Sequence, residues 1–185
     1  KPYFAYWGAR AGRGYYSFEL GTWHIISLDS NLAPIEHAAQ LDWLRADLAR
    51  HPARCTLAYW HHPLYSSGGH GSVPKMRDAW KVLYDAGAEL VLSGHDHDYE
   101  RFAPQDADGR LDAARGIRQF VVGTGGAYPT PFLLTVAHSE VRDSNRTGVL
   151  RLQLYAGGYG WEFVESTRLS SFGVAPPDRG SAACH

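Results

Sequence analysis

Apolar runs of strand length recur along this chain, and each gives out into a polar or glycine-rich turn. His24-Ile25-Ile26-Ser27-Leu28 reads as a buried strand entering Asp29-Ser30-Asn31, and Cys55 to Trp60 as a second entering His61-His62-Pro63. Glu89 to Ser93 leads into Gly94-His95, and Arg118 to Val122 into Gly123-Thr124-Gly125-Gly126. Between these runs the period changes. From Gln40 to Ala49, residues Leu41, Leu44 and Leu48 share one face with Arg and Asp opposite, which predicts a helix covering a sheet. Lys75 to Ala86 predicts a second helix, stopped by Gly87 as its C-cap. Gly148 to Glu165 alternates, which predicts an antiparallel hairpin turning at Gly157-Gly158.

Strands interleaved with helices predict an α/β architecture. The stretch from Ser170 to His185 is rich in Gly, Pro and Ser, so the chain divides into a domain over 1–169 and a tail over 170–185. In α/β sheets ligands collect at the carboxyl ends of the strands, which would bring Asp29, His61, His95 and His97 to one rim. His95 and His97 stand at i and i+2, about 6.6 Å apart and on the same side if the backbone stays extended. That geometry suits metal ligation, although a lone His-x-His pair is a weak signal.

Composition narrows the function. A chain of 185 residues, 44% hydrophobic, can bury a full core. Its formal net charge is −1 and its basic residues are scattered, so no nucleic-acid-binding patch is expected. No apolar stretch approaches the roughly 18 residues of a membrane span. The chain starts at Lys1 and its single methionine is Met76, which suggests a longer precursor.

Ala58-Tyr59-Trp60-His61-His62-Pro63, Gly94-His95-Asp96-His97-Asp98-Tyr99-Glu100-Arg101 and Gly123-Thr124-Gly125-Gly126 together resemble the later motifs of calcineurin-like metallophosphoesterases, in particular the purple acid phosphatase branch. The resemblance runs from about Tyr15 to His185, and its most specific string is the one from Gly94 to Arg101. It implies the C-terminal part of a sandwich of two mixed β-sheets flanked by helices. It further implies hydrolysis of phosphate esters at a dinuclear centre of Fe, Zn, Mn or Mg, with a secreted or extracytoplasmic location. By motif position His61 and His95 would ligate the divalent ion and His97 the other ion, with His70 contacting substrate or protonating the leaving alkoxide.

The chain departs from that family in lacking its early motifs. No Gly-Asp pair occurs, and neither Asn31 nor Asn145 is followed by His. The bridging carboxylate and the asparagine amide would therefore come from an N-terminal half of the fold, which becomes an expected partner. The alternative is a catalytically incomplete fragment, or a non-catalytic metal-binding or interaction module.

Other residues have plainer readings. His62 occupies the variable position of its motif and is read as structural or as supporting a neighbouring ligand. His70 could equally be an ordinary loop histidine. Asp96 and Asp98 are read as orienting imidazoles or facing water, Asp29 as turn-forming, and Arg101 as pairing with a carboxylate beneath the site. Cys55 and Cys184 have no metal-binding spacing; a disulfide between them would pin the tail to the sheet and suit a secreted phosphatase.

Overall fold

The computed structural model describes residues 2–168 and 177–185. A short helix α1 (Pro2–Trp7) precedes β1 (Tyr16–Leu20) and β2 (Trp23–Ser27); α2 (Pro34–Arg50) then leads to β3 (Cys55–Tyr59), and α3 (Arg77–Asp85) to β4 (Leu90–Ser93). β5 (Tyr99–Phe102), β6 (Arg118–Val122) and β7 (Ser139–Asp143) complete a seven-stranded sheet in the order β1-β2-β3-β4-β6-β5-β7. Its centre, β2-β3-β4-β6, is parallel, and the antiparallel β1, β5 and β7 flank it. The smaller sheet, β8 (Arg146–Tyr155), β9 (Gly158–Arg168) and β10 (Arg179–Ala183), is antiparallel among the described residues.

The parallel strands are buried on both faces, so adjacent apolar residues serve opposite layers. Ile26, Ala58 and Val91 face α2 and α3 and pack with Leu41, Leu44, Trp80 and Leu83. Ile25, Leu57 and Leu90 face the small sheet and pack with Tyr159, Trp161 and Phe163. The result is an α/β fold with a large mixed sheet between a helical layer and an antiparallel sheet.

The expected helix stop holds: Gly87 takes φ 74°, and the Gly87 and Ala88 N–H groups donate to the carbonyls of Tyr84 and Leu83. The hairpin turns at Ala156-Gly157, one residue before the expected pair, because Tyr155 pairs with Gly158. Of the expected tail, residues 170–176 lie outside the described residues, whereas Arg179–Ala183 forms an edge strand. The small side chains of β10 show no alternation from which a strand could be read, yet they let it lie under the Trp161 ring, against which a Cβ on Gly180 would clash at 2.4 Å. The Cys55–Cys184 disulfide, with Cα atoms 5.7 Å apart, ties this last strand to the start of β3.

Candidate metal and phosphate site

The loops after β2, β3, β4 and β6 emerge at the carboxyl rim of the parallel strands. Pairing continues past the strand ends: the Trp60 N–H donates to the Leu92 carbonyl and the Gly94 N–H to the His61 carbonyl. His61 and His95 are thereby fixed on neighbouring loops. The chain is not extended through the His-x-His segment as the spacing suggested. Residues 95–98 form a bend, and His95 takes φ 69°, a left-handed conformation uncommon for a residue bearing a Cβ. From this bend the His95 ring meets His61 on the loop after β3, and the His97 ring meets His70.

Five imidazoles meet there. His95 stands at the centre, with ring centroids of His61, His62 and His70 at 5.0, 4.5 and 4.7 Å, and the His97 ring is 5.9 Å from that of His70. The His61 Nε2 and His95 Nδ1 atoms are 3.1 Å apart. Two nitrogens on one tetrahedral ion with bonds of about 2.0–2.1 Å would be separated by about 3.3 Å, so this pair fits a shared cation. Among the described residues, the group able to hold an ion is His61, His62 and His95, one nitrogen from each lying within 4.8 Å of the others. Burial, then the neighbouring His95, lowers the pKa of His62; burial, then His61, lowers that of His95. Burial and the neighbouring imidazoles thus disfavour the charged form of both rings, and the neutral form is the one that ligates metals.

His62, read from its position as structural, lies inside this group. Its Nδ1 is 2.8 Å from Ser30 Oγ, and its backbone N–H donates to the same oxygen at 3.2 Å. His97, expected as a ligand, lies outside it, with Nδ1 2.9 Å from the Tyr128 carbonyl oxygen. The donors brought together by this chain fit one borderline cation, being all imidazole, and none of them is a carboxylate that could bridge a second.

His70 sits at the mouth with its side chain 45% exposed and its Nδ1 3.0 Å from Asp96 Oδ1. Asp96 does not face water. It is fully buried, and its carboxylate also accepts the His70 and Gly71 backbone N–H groups and the Ser66 hydroxyl at 2.7, 3.2 and 2.5 Å. This bonding fixes the His70 loop, keeps the proton of the neutral ring on Nδ1 and leaves Nε2 for a ligand. The loop crosses close over this carboxylate: a Cβ on Gly68 would come within 2.4 Å of the Asp96 Cγ, so a larger residue there makes the side chain shift. Gly123 meets the same constraint from β6, where a Cβ would stand 1.8 Å from the Asp96 carbonyl oxygen.

Asp98 is also fully buried and touches no imidazole: Oδ2 accepts the Thr130 hydroxyl at 3.3 Å, and Oδ1 has no partner. Burial, then the adjacent Asp96 and Glu100 carboxylates, pushes its pKa up to about 7. Asp29 is turn-forming, as read: its Oδ1 accepts the Asn31 N–H. Arg101 points away from the rim and binds Asp178 and Glu140. Sequence reasoning missed Ser30, Ser66 and Thr130, each of which lies at least 30 residues from the side chain it supports.

A family model described as calcineurin-like phosphoesterase matches residues 2–99. Purple acid phosphatase 15 of Arabidopsis thaliana is 36% identical over 118 residues, covering 60% of this chain and 22% of the relative. An acid phosphatase of Aspergillus ficuum is 37% identical over 79 residues, covering 40% of this chain and 13% of the relative. The chain thus spans about a fifth or less of the length of these two relatives. Among solved structures, purple acid phosphatase PPD1 from yellow lupin (Lupinus luteus) seeds superposes with a TM-score of 0.74 at 20% identity, over 91% of this chain and 32% of the other. GAP50, titled the anchor in the inner membrane complex of Plasmodium, superposes with a TM-score of 0.69 at 19% identity, over 92% of this chain and 53% of the other. At these identities the superpositions establish the fold alone.

Proposed function

Because the chain belongs to the calcineurin-like phosphoesterase family, we propose that it is the histidine-donating part of a metal-dependent phosphatase that hydrolyses phosphate esters. The observation that carries the reading is the rim cluster, in which an Asp96-held His70 stands beside His95 and His97. In this reading His61 and His95 serve one ion of a dinuclear centre and His97 serves the other. Bound metal would supply charge neutralisation for the phosphate oxygens and a nucleophile near neutral pH.

The chain's own residues then have separate tasks. Asp96 holds His70 with Nε2 facing the mouth, where the protonated ring gives its Nε2 proton to the departing alkoxide. The Gly123 turn keeps β6 close to the Asp96 backbone and so fixes the floor of the site. The carboxylate and amide donors that a second ion needs would come from an N-terminal part of the fold, the macromolecular partner of this reading. A secreted or extracytoplasmic location is supported by the Cys55–Cys184 disulfide.

The test is hydrolysis of a chromogenic phosphate ester by the 185-residue chain, alone and combined with the upstream part of the fold, after chelation and return of zinc, manganese or iron. Little turnover is expected from the chain alone. The combined protein should show metal-dependent turnover that His95→Ala abolishes and His70→Ala lowers by about 100- to 10,000-fold. Turnover of the combined protein that survives His95→Ala overturns the reading.

A second reading, a non-catalytic metal-binding module, draws on one observation: the described donor group suits a single ion. A combined protein that binds metal stoichiometrically and turns over no ester would favour it.

A further inference from the structure

The position after His61 is variable in the motif that the chain resembles, yet here it carries an imidazole that faces His95 with a ring separation of 4.5 Å. We propose that His62 is a metal ligand, and that His61, His62 and His95 form a three-imidazole site for one borderline divalent cation of the zinc or cobalt type. This goes beyond the assignment above: it adds His62 to the ion that His61 and His95 serve and leaves His97 to the other.

Three features carry it. The first is proximity: the three residues each place a ring nitrogen within 4.8 Å of the others, and His97 does not join them. The second is a fixed ring. Ser30 Oγ, on a residue only 2% exposed, lies within hydrogen-bond distance of both the backbone N–H and the Nδ1 of His62. The two contacts orient the imidazole, as the outer hydrogen bond of a ligating histidine commonly does. The third is the donor set itself. Three neutral nitrogens without a carboxylate match zinc or cobalt and discriminate against magnesium and calcium, which require oxygen. The ring of His97 instead lies with its Nδ1 2.9 Å from the Tyr128 carbonyl oxygen.

The experiment is a titration of the metal-free, disulfide-intact 185-residue chain with cobalt(II), read by visible ligand-field absorption, followed by zinc competition in a calorimeter. One cobalt per chain is expected, with the intense bands of a four-coordinate ion. His62→Ala should weaken binding by at least about 10- to 100-fold and Ser30→Ala by about 10-fold, while His51→Ala, whose ring lies beside Glu19 and Asp47, stays within about threefold of the parent. Circular dichroism establishes that each variant is folded. As a second variant that keeps a donor, His62→Cys should hold cobalt and add a near-ultraviolet thiolate-to-cobalt band, which a merely structural role would not produce.

Parent-like affinity in folded His62→Ala, absence of the thiolate band, or no stoichiometric cobalt binding by the parent overturns the proposal. Equal losses from His95→Ala and His97→Ala, with none from His62→Ala, would overturn it and leave the phosphatase assignment standing. Cobalt held through His62, in a protein whose ester hydrolysis survives His95→Ala, would do the reverse.

Discussion

Strand β5 carries buried charge on both faces, and the two faces neutralise it differently. Towards the small sheet, Arg101 places its Nε 2.7 Å from Asp178, which also accepts the Tyr99 hydroxyl at 2.7 Å and the Trp161 indole N–H at 3.0 Å. Despite its burial, the Arg101 guanidinium and the Tyr99 hydroxyl hold the Asp178 carboxyl below the usual carboxylate range. Towards the rim loops, Glu100 and the preceding Asp98 and Asp96 are fully buried with neither Lys nor Arg among their hydrogen-bond partners. They accept from Ser66, Ser139, Thr130, the His70 ring and backbone N–H groups. On this face burial, then the adjacent Asp96 and Glu100 carboxylates, pushes the Asp98 pKa up to about 7. The comparison places the electrostatically frustrated layer directly beneath the candidate site.

The sharpest way to break the contrast is to remove the cation. Arg101→Ala leaves Asp178 buried with only neutral donors, and urea unfolding should show a loss of about 3–5 kcal/mol. Cys184→Ala releases the last strand of the sheet that covers this paired face, and the same measurement should show about 2–5 kcal/mol lost.

On the other face, the contrast predicts a pH dependence of the metal-free protein. Below about pH 3.8 Asp98 is protonated in the folded and unfolded chains alike; between there and about 7 the unfolded carboxyl ionises while the folded one keeps its proton. The folded state then binds more protons, so stability falls as pH rises through this window and levels off above it. The total is about 2–4 kcal/mol, to be read as the difference between the parent and Asp98→Asn stability curves in chelator. A flat difference curve would show that the two faces are electrostatically alike. The smallest effect expected is that of Gly68→Ala, whose Cβ presses on Asp96 and Asp98; a thermal melt should report about 1–3 kcal/mol.

How much of this was legible in the sequence depended on whether a residue's partner lay nearby in the chain. β3, β4 and β6 stand out because strands buried on both faces are continuous apolar runs, and α2 because Leu41, Leu44 and Leu48 keep helical period. The first turns of α2 were missed, since Ala33 caps without a side-chain oxygen and relies on Pro34 and Glu36. β5 and β7 read as polar because Glu100, Arg101 and Glu140 are neutralised only by residues far along the chain. At the site, His61, His95 and His97 were visible from their motifs. Asp96 was read as orienting an imidazole or facing water; which imidazole it meets was not visible, since that depends on a loop about 26 residues earlier folding down over it. His62 was hidden by the same kind of distance, its partner Ser30 lying 32 residues away.

The disulfide has a consequence for how this protein would be handled by proteases. Cys55 and Cys184 close a covalent ring that contains β3 through β10 and all five rim imidazoles. A single cut between residues 56 and 183, for instance in the exposed segment around Leu133 and Leu134, severs the backbone and releases nothing. The two pieces stay joined through sulfur, and a nicked molecule runs as intact on a gel until a thiol is added. Damage of this kind would accumulate unseen in an oxidising compartment and become visible only on reduction.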